Sequence, residues 1–229
     1  MKVSIIILSL NEGSNLTRLI GEISEELDGK EYEIIIVEDG ADSNCLNPLE
    51  ILKSYTNVIV MQRALPNGLA GATEYGLLRA KGDFLIILDG DGTHNPADIQ
   101  KLLEKVSTNC IAVASRYKSR LIIKNSFQEY FSSMFNFFVT KYLKTGLNDN
   151  LGGYYALYRK VAIDLIKEDV FIGHGDYFIR LILAARKLKF EIVEIPVVFR
   201  ARYSGVPTKS RFWMLRKYLV TIFELKKLR

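Results

Sequence analysis

The sequence predicts an α/β protein in which helices flank a mostly parallel β-sheet. Short runs rich in Val and Ile alternate with longer amphipathic segments through the first half of the 229-residue chain. These apolar runs are continuous rather than alternating, which is typical of strands that are buried on both faces. Strands that alternate with helices indicate βαβ units, whose parallel sheets bind ligands beyond the carboxyl ends of the strands.

The individual elements follow from the same apolar pattern. In the first half, we predict strands at 3–8, 32–37, 58–62 and 84–88 and helices at 14–27 and 69–80. In the second half, we predict a strand at 110–114, an aromatic-rich helix near 127–144, a short strand after Gly152-Gly153-Tyr154-Tyr155, a helix at 176–188, a strand at 190–199 broken by Pro196, and a final helix from Phe212.

Composition indicates the compartment. The two cysteines, Cys45 and Cys110, are too few for a disulfide framework, so a reducing, cytoplasmic environment is expected. The apolar run at the N-terminus is too short for a signal peptide. No uninterrupted apolar stretch approaches the roughly 20 residues that a membrane-spanning helix needs. We therefore expect a protein that does not cross a bilayer.

Basic charge is concentrated at the C-terminal end. Residues 200–229 contain nine of the 31 Lys and Arg residues but one of the 26 Asp and Glu residues. In the final helix, apolar residues recur at helical spacing opposite Arg216, Lys217 and Lys227. Such a helix can lie on an anionic bilayer or can dock its apolar face on the protein's own sheet. The apolar positions are Leu215, Tyr218, Leu219, Ile222 and Leu225. Nucleic-acid binding is not expected, because aromatic stacking platforms on a basic face are not evident.

Acidic side chains follow three of the predicted strands. Glu12 follows the first, Asp39 the second, and Asp89 and Asp91 the fourth. A cluster of like charges implies a cation or a cationic partner. Glycines beside the last two carboxylates allow a sharp turn, so that both can face one point. They could hold Mg2+ or Mn2+ against a diphosphate; a plain Asp-Gly turn is the alternative.

A further motif precedes the acidic strand. It reads Asn67-Gly68-Leu69-Ala70-Gly71-Ala72 and continues with Gly76, Ala80, Gly82 and Asp83. With these motifs the chain resembles the family-two glycosyltransferases of GT-A fold, and within them the polyprenyl-phosphate (dolichyl-phosphate) mannose or glucose synthases. The resemblance runs from Val3 to about Ser210. It implies a glycosyltransferase domain at 1–210, followed by a basic amphipathic helix at 211–229.

The resemblance also implies site residues. Metal ligands are expected at Asp89, Asp91 and Thr93, where related synthases usually have Gln in place of Thr93. Asp39 is expected to meet the base. His94 matches the family's usual continuation of the motif, and because Mg2+ does not prefer imidazole, we expect His94 to act as a structural hydrogen-bonding group. The implied nucleotide-sugar pocket comprises Leu8, Leu10, Asn11, Glu12, Val37, Asp39, Gly68, Asp89, Gly90 and Asp91. The implied catalytic residues are Asp89, Asp91, Arg116, Asp149, Arg202 and Lys209, of which Arg202 and Lys209 belong to a loop that holds phosphates.

The implied activity is metal-dependent, inverting transfer of a hexose from GDP-mannose or UDP-glucose to a polyprenyl (dolichyl) phosphate at a membrane surface. A lipid phosphate is already ionised, whereas a sugar hydroxyl would need a general base, for which Asp149 and Asp176 are candidates. Transfer to a hydroxyl in polysaccharide or glycan synthesis is therefore one alternative. A catalytically silent module that binds nucleotide-sugars is the other.

Overall fold

The structure, a computed structural model, describes residues 2–40, 50, 52, 55–63, 68–117, 127–205 and 211–227. Within these residues the strands are β1 (Lys2–Ser9), β2 (Glu31–Glu38), β3 (Val58–Gln62), β4 (Phe84–Asp89), β5 (Cys110–Ser115), β6 (Tyr155–Tyr158) and β7 (Glu191–Pro196). The helices are α1 (Gly13–Glu26), α2 (Leu69–Leu77), α3 (Ile99–Leu103), α4 (Phe127–Leu143), α5 (Arg159–Ile166), α6 (Tyr177–Lys187) and α7 (Arg211–Lys227). A 3-10 turn at Pro96–Asp98 precedes α3.

The strands form a single sheet in the order β3-β2-β1-β4-β6-β5-β7. β6 runs antiparallel to both of its neighbours, and the other paired strands are parallel. The chain leaves β1 toward β2 on one side, while β4 pairs with β1 on the other, with Leu8 opposite Asp89. Ligands of open α/β sheets bind where the strand order reverses in this way. The fold therefore places the ends of β1 and β4 at a ligand-binding edge.

Each face of the sheet has its own hydrophobic core, as the continuous apolar runs predict. Ile6 of β1 points into the core beneath α2, α5 and α6. The next residue, Ile7, points into the opposite core beneath α1 and α3. Because side chains alternate along a strand, a β1 segment buried on both faces must be apolar at every position.

Several elements depart from the predicted ones. α5 and the short α3 were not predicted, and both are too short to show helical periodicity reliably. β7 is confirmed as a strand but ends at Pro196 rather than at residue 199; proline has no N–H with which to extend the ladder. The antiparallel direction of β6 was also not predicted, because the direction of pairing is set by tertiary connections and not by the local pattern.

The final helix packs on other helices rather than on the sheet. Ile222 of α7 is fully buried against Val139 and Leu143 of α4 and Ile179 of α6. Tyr218 and Leu225 pack at the edge of this cluster, whereas Leu215 stays 41% exposed. Part of the predicted apolar face thus docks on the protein and part faces outward. Among the described segments, no helix has the length and apolar character needed to span a membrane.

Candidate active site

The end of β4 and the turn that follows it hold the two predicted metal-binding carboxylates, Asp89 and Asp91. The N–H of Gly90 donates to the carbonyl of Leu8 at 2.8 Å, so the turn stays joined to β1. Asp91 is oriented by Thr93, whose backbone N–H and hydroxyl both donate to Asp91 Oδ1, at 2.9 and 2.7 Å. Thr93, which we expected among the metal ligands, therefore contacts the carboxylate that it would assist.

His94 supports this turn from below. Its ring is buried, stacked on Tyr154 with centroids 4.8 Å apart, and in edge contact with Phe199. Nδ1 accepts the N–H of Asp89 at 3.0 Å, so the proton of the neutral ring is on Nε2. Burial lowers the pKa of His94 to about 4 despite the nearby Asp91 carboxylate. His94 is thus a neutral hydrogen-bonding group, as the sequence predicts.

Arg202 lies between acidic groups from two strand ends. Its guanidinium pairs with Glu12 Oε1 and, at 3.0 Å, with Asp91 Oδ2. Asn15 Nδ2 donates to the other oxygen of Glu12 at 2.5 Å. The structure therefore brings together Glu12, Asp91 and Arg202, which are far apart in sequence.

Asp89 has the most perturbed carboxyl of this cluster. Although 37% of its side chain is exposed, desolvation raises its pKa to about 8, the Asp91 and Glu12 charges act in the same direction, and Arg202 opposes them. A nearby positive charge favours the ionised form of a carboxyl group. The environment of Asp89 is therefore one that a bound cation would relieve.

These groups border an open cavity of about 260 Å³. Its lining residues are Leu8, Leu10, Glu12, Gly68, Leu69, Asp89, Gly90, Asp91, His174, Arg202 and Met214. A neighbouring cavity of about 320 Å³ shares Leu10, Glu12 and Arg202 with it and adds Asn11. Most of the predicted pocket residues thus line one or both of these cavities.

The side chains at this cavity suit a hard divalent cation that takes only some of its ligands from the protein. Within the part of the chain that the structure describes, no three His, Cys, Asp or Glu residues are grouped to hold a metal ion. The cavity offers two carboxylates in one turn, Asp89 and Asp91. Mg2+ is commonly bound by one or two carboxylates plus substrate phosphates, with water completing the shell. The residues present fit this mode of binding.

Asp39 forms a buried ion pair. The Arg63 guanidinium donates to both oxygens of the Asp39 carboxylate, and the distance from Nη2 to Oδ2 is 2.5 Å. The side chain of Asp39 is 9% exposed and that of Arg63 is 6% exposed. The same guanidinium donates to the carbonyl of Gly68 at 3.2 Å. Asp39 is thus linked to the pocket wall at Gly68, and its contact with a base stays a prediction. Sequence reasoning missed Arg63, because nothing near it in sequence indicates its partner.

A second buried carboxylate, Glu38, joins the loops that follow β1 and β2. It accepts hydrogen bonds from the hydroxyl of Ser9 at 2.5 Å, the N–H of Asn11 at 2.9 Å and the N–H of Gly40 at 2.6 Å. Asn11 is held in a left-handed conformation with φ of 59°. Glu38 shapes the predicted nucleotide pocket. The sequence feature that could have indicated this role is its position at the end of β2.

Arg116 and Asp149 form a separate pair. Asp149 is fully buried and accepts from Arg116 Nε at 2.7 Å, Nη2 at 2.8 Å and the backbone N–H at 3.1 Å. Its Oδ1 also accepts from the N–H of Leu151 at 3.2 Å. Glu194 fixes the turn below by accepting the N–H of Asp149 at 2.9 Å. Asp149 therefore orients Arg116, and Glu194, which was not predicted, holds Asp149.

Asp176, the other candidate base, ties α6 to α7. Its Oδ1 accepts the N–H of His174 at 2.8 Å, and its Oδ2 accepts the hydroxyl of Thr221 at 2.8 Å. His174 and Met214, which line the cavity, were not predicted as site residues. Both come from segments that the tertiary fold alone brings to the rim.

Two predicted residues are not part of this arrangement. Val37 is fully buried in the core under α2 and is absent from the cavity lining, because β2 directs its side chain away from the edge. The Val37 side chain therefore does not line the cavity, and the place of Val37 in the substrate pocket stays a prediction. Lys209 lies outside the described residues, and its role stays a prediction.

The chain is similar in sequence to several known proteins. The 29%-identical dolichol-phosphate mannosyltransferase of Pyrococcus furiosus aligns with 99% of this chain, which spans 64% of that relative's length. The polyprenol monophosphomannose synthase of Mycolicibacterium smegmatis is 28% identical over 90% of the chain and 80% of its own length. The dolichol-phosphate mannosyltransferase of Saccharomyces cerevisiae is 26% identical over 98% and 87%.

Solved structures share the fold. Glucosyl-3-phosphoglycerate synthase from Mycobacterium tuberculosis, in complex with Mn2+, UDP and glucosyl-3-phosphoglycerate, superposes with a TM-score of 0.73 at 17% identity, covering 99% of this chain and 80% of that one. Its complex with Mg2+ and UDP gives a TM-score of 0.69 at 17% identity, covering 99% and 79%. The expected GT-A type of α/β fold is confirmed. Residues 4–166 match the sequence model described as Glycosyl transferase family 2, and the chain therefore belongs to that glycosyltransferase family.

Proposed function

We propose that this glycosyltransferase transfers a hexose from GDP-mannose or UDP-glucose to a polyprenyl phosphate, with Mg2+ or Mn2+ as cofactor and with inversion at the anomeric carbon. This proposal rests chiefly on the cavity at the ends of β1 and β4, which is lined by Asp89, Asp91, Glu12 and Arg202. The names of the three relatives support a mannose donor and a polyprenol-type acceptor. The Mn2+ and UDP bound by the structural neighbour support the metal and the nucleotide-sugar.

On the donor side, the reaction must stabilise the negative charge that develops on the departing nucleoside diphosphate. A divalent cation held at Asp89 and Asp91 supplies much of that stabilisation when it is bound. Arg202 adds a positive charge at the same cavity. Leu8, Leu10 and Leu69 line the remaining wall and would keep water from the reacting centre.

On the acceptor side, both candidate bases are buried, Asp149 fully and Asp176 with 4% of its surface exposed. Both oxygens of Asp149 are engaged by Arg116 and the N–H of Leu151. Both oxygens of Asp176 are engaged by His174 and Thr221. An ionised phosphate acceptor needs no such base. The occupied carboxylates therefore favour a phosphate over a sugar hydroxyl.

Arg116 is suited to contact such an anion. A guanidinium carries five N–H donors, and Asp149 takes the Nε donor and one donor from Nη2. The Arg116 side chain keeps 28% of its surface exposed, beside the ring of Tyr117 with 5.2 Å between the guanidinium carbon and the ring centroid. We assign it the acceptor phosphate.

A membrane-bound acceptor also accounts for an exposed apolar surface on α4 and α7. The exposed side chains are Tyr130, Phe131, Met134, Phe137 and Phe138 on α4 and Phe212, Leu215, Val220 and Phe223 on α7. Lys141 lies over the ring of Phe137, and Lys217 over that of Trp213. Exposed aromatic residues beside lysines are typical of surfaces that lie in an anionic membrane interface. We propose peripheral contact with a membrane here.

The experiment is transfer of radiolabelled sugar into the organic phase from vesicles that contain a polyprenyl phosphate, with each nucleotide-sugar and with Mn2+, Mg2+ or chelator. We expect one donor to be used, loss of transfer with chelator, and an inverted anomeric linkage in the product. Asp91→Asn should abolish transfer. Asp164→Asn is the matched control, since Asp164 is a surface carboxylate on α5 that pairs with Lys167.

Transfer to a soluble hydroxyl acceptor, with none to the lipid phosphate, would contradict the proposed acceptor. A nucleoside diphosphate that raises the melting temperature, with neither transfer to any acceptor nor metal-dependent hydrolysis of the nucleotide-sugar, would instead support the silent alternative.

A further inference from the structure

Arg202 neutralises two carboxylates that a cation would also attract. Its guanidinium contacts Glu12 and, at 3.0 Å, Asp91. The three side chains are 22%, 12% and 14% exposed, respectively, so solvent screens the pairs only in part. Removing one partner of such an arrangement leaves charge poorly compensated. Arg202 is therefore held at the acidic turn by two ion pairs.

The backbone beside Arg202 is fixed to the same turn. Residues 200–205, which we call the strap, cross over it. The N–H of Arg200 donates to the carbonyl of Thr93 at 2.8 Å, and the N–H of Tyr203 donates to the carbonyl of Asp91 at 3.0 Å. Ser204 donates its hydroxyl proton to Asn15 Oδ1 at 2.6 Å. With its backbone anchored on both sides, Arg202 can change partners by rotating its side chain alone.

We propose that Arg202 is the counter-ion of Glu12 and Asp91 when no divalent cation is present and that it exchanges these carboxylates for the diphosphate when cation and nucleotide bind. This inference rests on the proposed function for the identity of the anion. It makes Arg202 a substrate-binding residue that couples two binding events. Cation binding alone must displace the guanidinium into water, whereas joint binding gives it a new anionic partner.

The exchange predicts reciprocal coupling. If a diphosphate raises the affinity for the cation, the cation raises the affinity for the diphosphate by the same factor. Replacing Arg202 with a neutral residue should tighten binding of the cation alone, because Asp91 and Glu12 then have no competing positive charge. It should weaken binding of the diphosphate, because the arginine partner is lost.

The test is direct titration of Mn2+, with free ion measured by electron paramagnetic resonance, for wild type, Arg202→Gln and Arg200→Gln. Arg200 lies in the same strap but pairs with Glu22 at 2.5 Å, so this control removes an equal charge without freeing Asp91. Arg202→Lys provides a second variant that keeps the charge but not the fork geometry. Thermal unfolding checks that each variant is folded.

Without nucleotide, we expect Arg202→Gln to bind Mn2+ about tenfold more tightly than wild type, the factor that corresponds to about 1.4 kcal/mol. Arg200→Gln should bind Mn2+ like wild type, and Arg202→Lys should lie between wild type and Arg202→Gln. Saturating UDP or GDP should tighten Mn2+ binding strongly in wild type and much less in Arg202→Gln.

If Arg202→Gln binds Mn2+ no more tightly than wild type in the absence of nucleotide, the proposed exchange is overturned. The same holds if Arg202→Gln and Arg200→Gln tighten Mn2+ binding by the same factor. If Arg202→Gln binds Mn2+ more tightly but no nucleoside diphosphate binds either protein, the counter-ion role stands and the proposed donor is wrong. The two failures are therefore distinguishable.

Discussion

The ring of Tyr203 occupies the space that a Cβ at residue 92 would need. Gly92 has φ of 80°, a conformation that favours glycine. The same Tyr203 ring lies 4.2 Å from the Arg18 guanidinium carbon, and its hydroxyl donates to Glu22 at 2.9 Å. The strap is thus seated directly on the acidic turn.

Gly92→Ala should therefore be destabilising and should weaken nucleotide binding. The φ angle alone costs about 1–2 kcal/mol, and displacement of Tyr203 adds to that. Gly29→Ala is the control, since Gly29 has φ of 71° but nothing within 4 Å of the added Cβ. Urea denaturation should show the larger loss for Gly92→Ala, together with a smaller thermal shift by UDP or GDP. Equal losses of stability in the two variants would mean that the Tyr203 ring moves aside without a measurable cost.

Glu22→Gln should remove an acid-sensitive part of the stability. Desolvation raises the pKa of Glu22, but hydrogen bonds from Arg18, Tyr203 and Arg200 outweigh it, so the net shift is below the usual 4.5. A carboxyl with a lowered folded-state pKa stabilises the fold above its unfolded pKa, and that stability is lost as pH falls through the folded value.

The difference in unfolding free energy between wild type and Glu22→Gln should accordingly be largest near neutral pH and shrink below about pH 4.5. Urea denaturation at several pH values measures it. A difference that stays constant down to acid pH would show that the Glu22 charge contributes nothing.

Asp149→Asn should reduce transfer on the order of 100-fold by releasing Arg116, while the KM for the nucleotide-sugar changes little. The variant should also lose roughly 2–3 kcal/mol of stability, less than a fully buried pair would cost because Arg116 is 28% exposed. Steady-state kinetics with varied acceptor and urea denaturation measure the two effects. Asp98→Asn is the control, because Asp98 is also buried but pairs with the exposed Lys101. A change confined to the donor KM would contradict the acceptor role of Arg116.

Thr221→Val should loosen α7 by removing the hydroxyl that donates to Asp176. Leaving a buried acceptor without its partner costs about 1–3 kcal/mol. Hydrogen exchange should become faster in α7, and Thr221→Ser should restore protection. Unchanged exchange would show that burial of Ile222 alone holds the helix.

The first half of the fold was predictable because its strands are buried on both faces and carry unbroken apolar runs. The acidic edge followed from the same logic, since Glu12, Asp89 and Asp91 each come after a parallel strand. Strand pattern and spacing placed both carboxylates at this edge, whereas the preference for a metal site over a plain Asp-Gly turn came from the resemblance to the family-two glycosyltransferases.

The partners of these groups were not predictable, because they come from distant parts of the chain. Arg63 reaches Asp39, Glu194 supports Asp149, and Met214 reaches the cavity from the final helix. Val37 shows another limit of the sequence pattern, since its side chain lies in the core although it is next to a motif. A pattern of period two cannot assign a face when every position in the strand is apolar.

Met214 gives the C-terminal helix a role beyond attachment. The helix contributes Met214 to the lining of the cavity to which we assign the donor, while Phe212 and Leu215 are exposed. Truncation at residue 210, where a domain boundary is predicted, would remove Met214 from the lining of that cavity. It would also expose the apolar surface that Ile222 covers. The helix should accordingly be treated as a structural component of the catalytic unit in any attempt to trim, graft or fuse it.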